Sequence, residues 1–184
     1  MRELRKLGLS VGLALLSISM VGLTGCEYRG PGFAGRVLAN TGKHTAYSVI
    51  YSEPELSTLK DAIAAANLNN TFKMQGNYTI FAPTNAAFAR LPAGTLKSLE
   101  SASNHEPLRN LLWYHVSTSD ITPMAAERQA VQHMANGQKA LISSNGTEIT
   151  GIDGAHVVGK PILCNNAVIY PIDAVIMPAP VGGK

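Results

Sequence analysis

Cysteine is scarce: the 184 residues hold only Cys26 and Cys164. They make no C-x-x-C pair and no Cys/His set at zinc spacing, which excludes a dithiol redox motif and a small zinc module. Five histidines, His44, His105, His115, His133 and His156, are scattered without ligand spacing, so no metal site is expected. G-x-S-x-G, H-E-x-x-H, a phosphate-cradling P-loop and paired catalytic carboxylates are all missing. Without a nucleophile, base and stabiliser in a known arrangement, neither an enzyme nor a cofactor is expected. No block of like charge occurs, which removes the electrostatic footprint of a nucleic-acid binder. Tryptophan occurs once, at Trp113.

What is present begins with an export signal. Arg2, Arg5 and Lys6 precede an apolar segment, Leu7 to Leu23, that ends in Leu23-Thr24-Gly25-Cys26. Its length of about 17 residues is marginal for a permanent membrane span, and the three-part pattern is that of a secretory signal. The last four residues resemble the bacterial lipobox, in which small side chains fit the peptidase cleft and the cysteine thiol takes up diacylglycerol. Residues 1–25 therefore read as a lipoprotein signal peptide and Cys26 as the lipidation site. The working chain would begin at Cys26 and be membrane-attached through that lipid. Its formal charge falls from +3 to +1, because three of the cations and one of the anions lie in the signal. Glu27 after the lipidated cysteine favours the outer membrane over the inner, with the domain on the periplasmic face or the cell surface. With Cys26 lipidated, Cys164 has no intrachain partner, and its place after Ile162 and Leu163 suggests a buried, inert thiol.

Residues 26–44 are glycine-rich, contain Pro31 and hold few apolar side chains, which reads as a flexible tether. A coil of that length spans roughly 20–25 Å on average. Residues 45–179 have globular patterning, and 180–184 form a short tail. Within the domain, Leu56, Leu59, Ala62, Ile63 and Ala66 recur at helical spacing. Tyr78 to Ala82 is a β-former run closed by Pro83. Thr84 or Asn85 can cap a short helix from Ala86 to Leu91, because their side-chain oxygens accept the free N–H groups of its first turn. Pro92 and Gly94 break that helix, and further helices are expected over Thr95–Ser101 and Glu106–Tyr114. Ser117 to Pro123 reads as a polar loop. From Val131 on, short apolar runs alternate with turn signals, including Asn136-Gly137 and Asn145-Gly146. The last run extends from Val168 to Met177. Helices first and strands later predict an α+β domain.

Three segments, in order, resemble the signatures of fasciclin (FAS1) domains. They are Thr79-Ile80-Phe81-Ala82-Pro83-Thr84-Asn85-Ala86-Ala87-Phe88, then Leu111 to Val116 with Tyr114-His115, then Asn165 to Pro178. The resemblance covers about Ser48 to Pro178 and implies a single β-wedge or twisted sandwich with helices packed on one side. It also implies that the two outer signatures are largely structural. Ile80, Phe81, Phe88, Val168, Ile172 and Val175 suit a buried interface, and Asp173 is expected to accept hydrogen bonds. Two departures matter. Ala167 stands where the family usually has glycine, and Tyr170-Pro171 stands where it has a histidine pair. The stretch Gly159-Lys160-Pro161-Ile162 lacks the carboxylate of the animal adhesion motif, so integrin binding is not implied.

The family associates Tyr114-His115 with adhesion. Flanked by Leu111, Leu112 and Val116, the pair could present two polar tips on an apolar patch suited to protein or glycan contact. Alternatively, the histidine ring bonds neighbouring backbone and fixes the helix-to-strand turn. Trp113 is the third binding candidate, by glycan stacking if exposed, or else a core residue. The expected function is a non-enzymatic, membrane-anchored adhesion or envelope-binding lipoprotein. The alternative is a periplasmic structural or small-ligand-binding envelope protein. A surface protein and a polysaccharide are both open as partners, and the oligomeric state is open too.

Overall fold

The computed structural model describes residues 44–73, 75–101 and 105–179. The signal peptide 1–25, Cys26, all of the tether but His44, and the tail 180–184 lie outside the described residues. Among the described residues no helix is long and apolar enough to cross a membrane.

The chain enters through α1 (Ala46–Ser52), whose first turn is capped by Thr45: its hydroxyl accepts the Ser48 N–H at 3.2 Å. A 3-10 turn (Pro54–Leu56) leads into α2 (Ser57–Ala65), so the expected helix starts with a tighter turn. Strand β1 (Tyr78–Pro83) runs into α3 (Asn85–Ala89). Of the two cap candidates, Thr84 caps α3, accepting from the Ala87 N–H at 3.2 Å. Asn85 instead turns back to α2, which has no side-chain cap of its own. Its amide oxygen accepts the Thr58 N–H at 2.9 Å and its NH₂ donates to the Pro54 carbonyl at 2.8 Å. Then follow α4 (Thr95–Glu100), α5 (His105–Tyr114) and β2 (Val116–Ser117). The expected polar loop contains a helix, α6 (Pro123–Arg128). Thr122 caps it and Pro123 opens it, where a missing N–H costs nothing.

Two four-stranded sheets follow from the strand pairing. The first has the order β2-β1-β8-β7, with β7 at Ile162–Leu163 and β8 at Ala167–Ile172. Its centre is the parallel pair β1/β8, with Tyr78 opposite Ala167 and Pro83 opposite Ile172. The second is an antiparallel meander of β3 (Val131–His133), β4 (Lys139–Ser144), β5 (Ile149–Ile152) and β6 (Ala155–His156). The last hairpin turns on Asp153-Gly154, whose φ values of 46° and 84° are those of a tight two-residue hairpin turn.

Alternation along the central strands separates two cores. Ile80, Ala82 and Ile169 face the helices and pack with Ile50, Leu59, Ile63, Leu108 and Leu112. Phe81, Tyr170 and Ile172 face the second sheet and pack with Ile142, Ile149 and Ile152. The first sheet is thus the middle layer, with helices α1–α5 on one side and the meander, joined by α6, on the other. This is an α+β architecture, as the order of elements predicts. Pro171 lies in an interior strand, yet β7 pairs only with Val168 and Ile169. The Pro171 carbonyl accepts from the Val158 N–H at 2.8 Å, so its ring nitrogen lies beyond the β7 ladder, where no donor is required. The expected strand over Val168–Met177 ends at Ile172; residues 173–179 leave the ladder as an irregular segment.

Candidate functional site

The junction of α5 and β2 carries the sequence-predicted pair, and both polar tips are used inside the protein. Tyr114 is 6% exposed. Its ring lies in the second core and its hydroxyl donates to Asp153 Oδ2 at 2.6 Å, with the Lys139 carbonyl at 3.2 Å. Burial first, then the hydrogen bond and charge of Asp153, push its pKa up to about 12. The tyrosine thereby ties the end of α5 to the tight turn of the meander.

His115 is 3% exposed. Its Nδ1 lies 2.8 Å from the Leu111 carbonyl, which can only accept, so Nδ1 carries the proton. Its Nε2 accepts the Ile176 N–H at 3.2 Å. The two contacts require one neutral tautomer. Burial lowers its pKa to about 4, opposed by the Leu111 hydrogen bond. Of the two readings of this histidine, the geometry is that of the ring bonding backbone at a helix-to-strand turn. Trp113 is half-buried against the first core. With Thr71, Phe72, Tyr78, Ile80, Val116 and Asn166 it lines a crevice of about 10 Å³, room for about one water. Tyr114, His115 and Trp113 are adjacent in sequence but face different environments, so they make no common surface.

The segment that His115 holds forms one wall of a wider opening. A groove of about 580 Å³ runs between it and the helices. Leu99 of α4 and Pro107 and Leu111 of α5 line one side; Met177, Pro178 and Ala179 line the other. Glu106 and Asn110 supply its polar groups. Met177 is 55% exposed, and Asn110 Oδ1 accepts from Asn136 Nδ2 at 3.0 Å.

Three side chains from separate elements hold the outer wall. At its start, Arg90 Nη1 donates to the Asp173 carbonyl at 2.9 Å and lies 3.4 Å from Asp173 Oδ2. The other Asp173 oxygen accepts the His156 N–H at 2.7 Å, so this carboxylate has the hydrogen bonds expected of it. In the middle is His115. At the end, Gln138 makes a reciprocal pair with Ala179: the N–H donates to Oε1 at 3.0 Å and the carbonyl accepts from Nε2 at 2.9 Å. Sequence reasoning did not single out Arg90, Gln138 or Asp153. Their partners lie far away in the chain, and no local pattern marks them.

Among the described residues no three His, Cys, Asp or Glu side chains converge as metal ligands. The Cys164 thiol is pushed up to about 12 by burial and is a poor nucleophile.

Comparisons with known proteins bear on this arrangement. The Fasciclin domain family matches residues 54–178. The protein sll1483 of Synechocystis is 35% identical over 134 residues, 73% of this chain and 73% of its own length. The immunogenic protein MPB70 of Mycobacterium bovis is 36% identical over 134 residues, 69% of this chain and 65% of that protein. The cell surface glycolipoprotein MPB83 of the same species is 33% identical over 137 residues, 69% of this chain and 57% of its length. The match thus spans just under two thirds of MPB70 and less of MPB83. Among solved structures, a FAS1 domain pair from the insect cell adhesion molecule fasciclin I superposes with a TM-score of 0.58. That likeness, at 15% identity over 74% of this chain and 51% of the other, is one of fold.

Proposed function

The chain belongs to the fasciclin family, and on that premise we propose that it is a non-enzymatic adhesion module of the cell envelope, attached through lipid on Cys26. Its partner, a surface protein or polysaccharide, seats in the groove between α5 and the segment 173–179. The observation that carries this reading is the groove itself. It is open, of ligand size and largely apolar with a few polar groups, which is the composition of a recognition site. Tyr114 and His115, by contrast, have both polar tips satisfied internally. A cell-surface glycolipoprotein among the relatives and a cell adhesion molecule among the structural matches support the same setting. The tether would let the domain stand off the bilayer by roughly 20–25 Å and meet a partner beside it.

The test uses cells carrying the full chain. Cys26→Ser is expected to move the protein from the membrane fraction to the soluble fraction and to remove its contribution to cell adherence. Adherence that is the same with the wild-type chain, the Cys26→Ser chain and no chain at all overturns the adhesion reading. Retention of Cys26→Ser in the membrane fraction overturns the lipid anchor.

A further inference from the structure

We propose that residues 173–179 are an acid-released strap, latched by His115, and that its release takes down one wall of the groove. The inference takes from the functional reading only the groove's role; the release itself is read without a partner.

The geometry of the latch is specific. The strap makes no ladder of its own beyond β8. Its middle is fixed by the Ile176 N–H donating to His115 Nε2 at 3.2 Å and by the buried Ile176 side chain. A second proton on His115 would have to sit on Nε2, because Nδ1 already carries one toward the Leu111 carbonyl. Two N–H groups would then point at each other across a hydrogen-bond distance, and the contact would turn from attractive to repulsive. A new cation would also be left in an apolar setting with only the Leu111 carbonyl to bond and no counter-charge.

Among the described residues no nearby charge offsets this. On α5, Glu106 and Arg109 are exposed and pair with each other at 3.9 Å. Tyr114 is turned to Asp153. On the strap, Asp173 is taken by Arg90 and the His156 N–H. Strand β1 brings only Tyr78, β2 brings no ionisable group, and His133 on β3 is exposed. The His115 shift accordingly has only two causes, burial and the Leu111 hydrogen bond.

The direction follows from proton linkage. With the strap closed, the ring titrates near 4; once released into water it titrates near its ordinary 6.5. The open form therefore binds the proton more tightly. The open-to-closed ratio rises about tenfold per pH unit below 6.5 and levels off near 4, an overall factor of about 300.

The experiment is amide hydrogen exchange on the full chain between pH 7 and pH 4.5, read as protection factors so that the intrinsic pH dependence of exchange drops out. The protection of Ile176 and Ala179 is expected to fall by at least tenfold and to stay below that of Ile152 in the second core at both pH values, because the strap opens without the domain unfolding. His115→Gln keeps a donor and an acceptor without titrating in this range, and is expected to flatten the response. Gln138→Ala frees only the strap's exposed end. It is expected to lower Ala179 protection at every pH while leaving the pH response of Ile176 intact, which keeps the test available if His115→Gln does not fold. Protection of Ile176 equal to that of Ile152 at both pH values, which would mean that the strap opens only when the domain unfolds, or constant protection of Ile176, overturns the latch. Adherence plays no part in this readout, so failure of the latch and failure of the adhesion reading are separate results.

Discussion

In the first sheet the two central strands, β1 and β8, come from opposite ends of the domain and run parallel. In the second sheet every strand pairs with its sequence neighbour and runs antiparallel. The chemistry differs accordingly. The first sheet and its surroundings carry the domain's buried polar side chains: Thr79, Thr84, His115, Ser117 and Asn166. Each ties down backbone that the ladder does not reach. Thr79 Oγ1 donates to the Ser119 carbonyl and accepts from the Ile121 N–H, both at 2.9 Å. Asn166 Oδ1 accepts the Ala46 N–H at 2.8 Å and its NH₂ donates to the Phe72 carbonyl at 3.3 Å. The meander's strands are brought together by two-, four- and five-residue turns, and the side-chain ties within it are more exposed, such as Asp153 Oδ1 accepting the Leu141 N–H at 2.8 Å. Its outer face leaves Val131 and Leu141 exposed as a direct cross-strand pair. Non-local pairing here depends on buried hydrogen bonds whose loss leaves unpaired groups, whereas local pairing depends on turn geometry and one apolar face.

The largest effect expected to separate the two regions is that of acid. His115 has a folded pKa near 4 against 6.5 when unfolded, so the unfolded chain binds the extra proton first. Its contribution to stability is complete above pH 6.5 and is lost as pH falls toward 4, by about 3 kcal/mol in all. Urea unfolding at pH 7 and pH 4.5 should show a loss on the order of 2–3 kcal/mol in the wild type that is absent in His115→Gln. Equal losses in both would place the acid sensitivity elsewhere. A step smaller is Asn166→Ala, which strands the Ala46 N–H at the start of α1 and the Phe72 carbonyl, and should cost about 1–3 kcal/mol. A thermal melt within a degree of wild type would remove the first sheet's claim to polar support. Smallest is Leu141→Thr on the exposed face of the meander, where Leu141 is 53% exposed. Its cost should stay below about 0.5 kcal/mol, and a larger value would mean that this face is covered.

Much of this organisation is legible in the residues. The apolar spacing of Leu56, Leu59 and Ile63 marks α2, Thr84 marks the start of α3, and the Asn-Gly pairs mark turns of the meander. The fasciclin signatures align with β1 and β8 and so locate the middle layer. Other elements escape notice for physical reasons. The Ala46–Ser52 helix is rich in β-branched and aromatic residues and reads poorly as a helix. It forms because Thr45 caps it and Asn166 holds the Ala46 N–H from across the chain. α6 hides behind Pro123, which looks like a loop signal but sits at the first helical position after a threonine cap. The apolar run through Met177 reads as one strand, but Asp173 turns it into a strap by capturing the His156 N–H and Arg90. The groove is invisible locally, because Leu99, Leu111 and Met177 meet only in three dimensions. Tyr114 and His115 stand out as a pair, but only the structure reveals that their partners, Asp153 and Ile176, are internal.

The most direct test of the proposed function compares cell adherence for the full anchored chain with three substitutions. Met177→Glu places a charge in the groove, Leu141→Glu places the same charge on the meander, and Tyr114→Phe removes only an internally bonded hydroxyl. Met177→Glu should reduce adherence by fivefold or more, while Leu141→Glu and Tyr114→Phe should leave it within twofold of wild type at matched surface levels. Full adherence with Met177→Glu, or a selective loss with Tyr114→Phe in a chain that melts like the wild type, would contradict the groove as the binding surface.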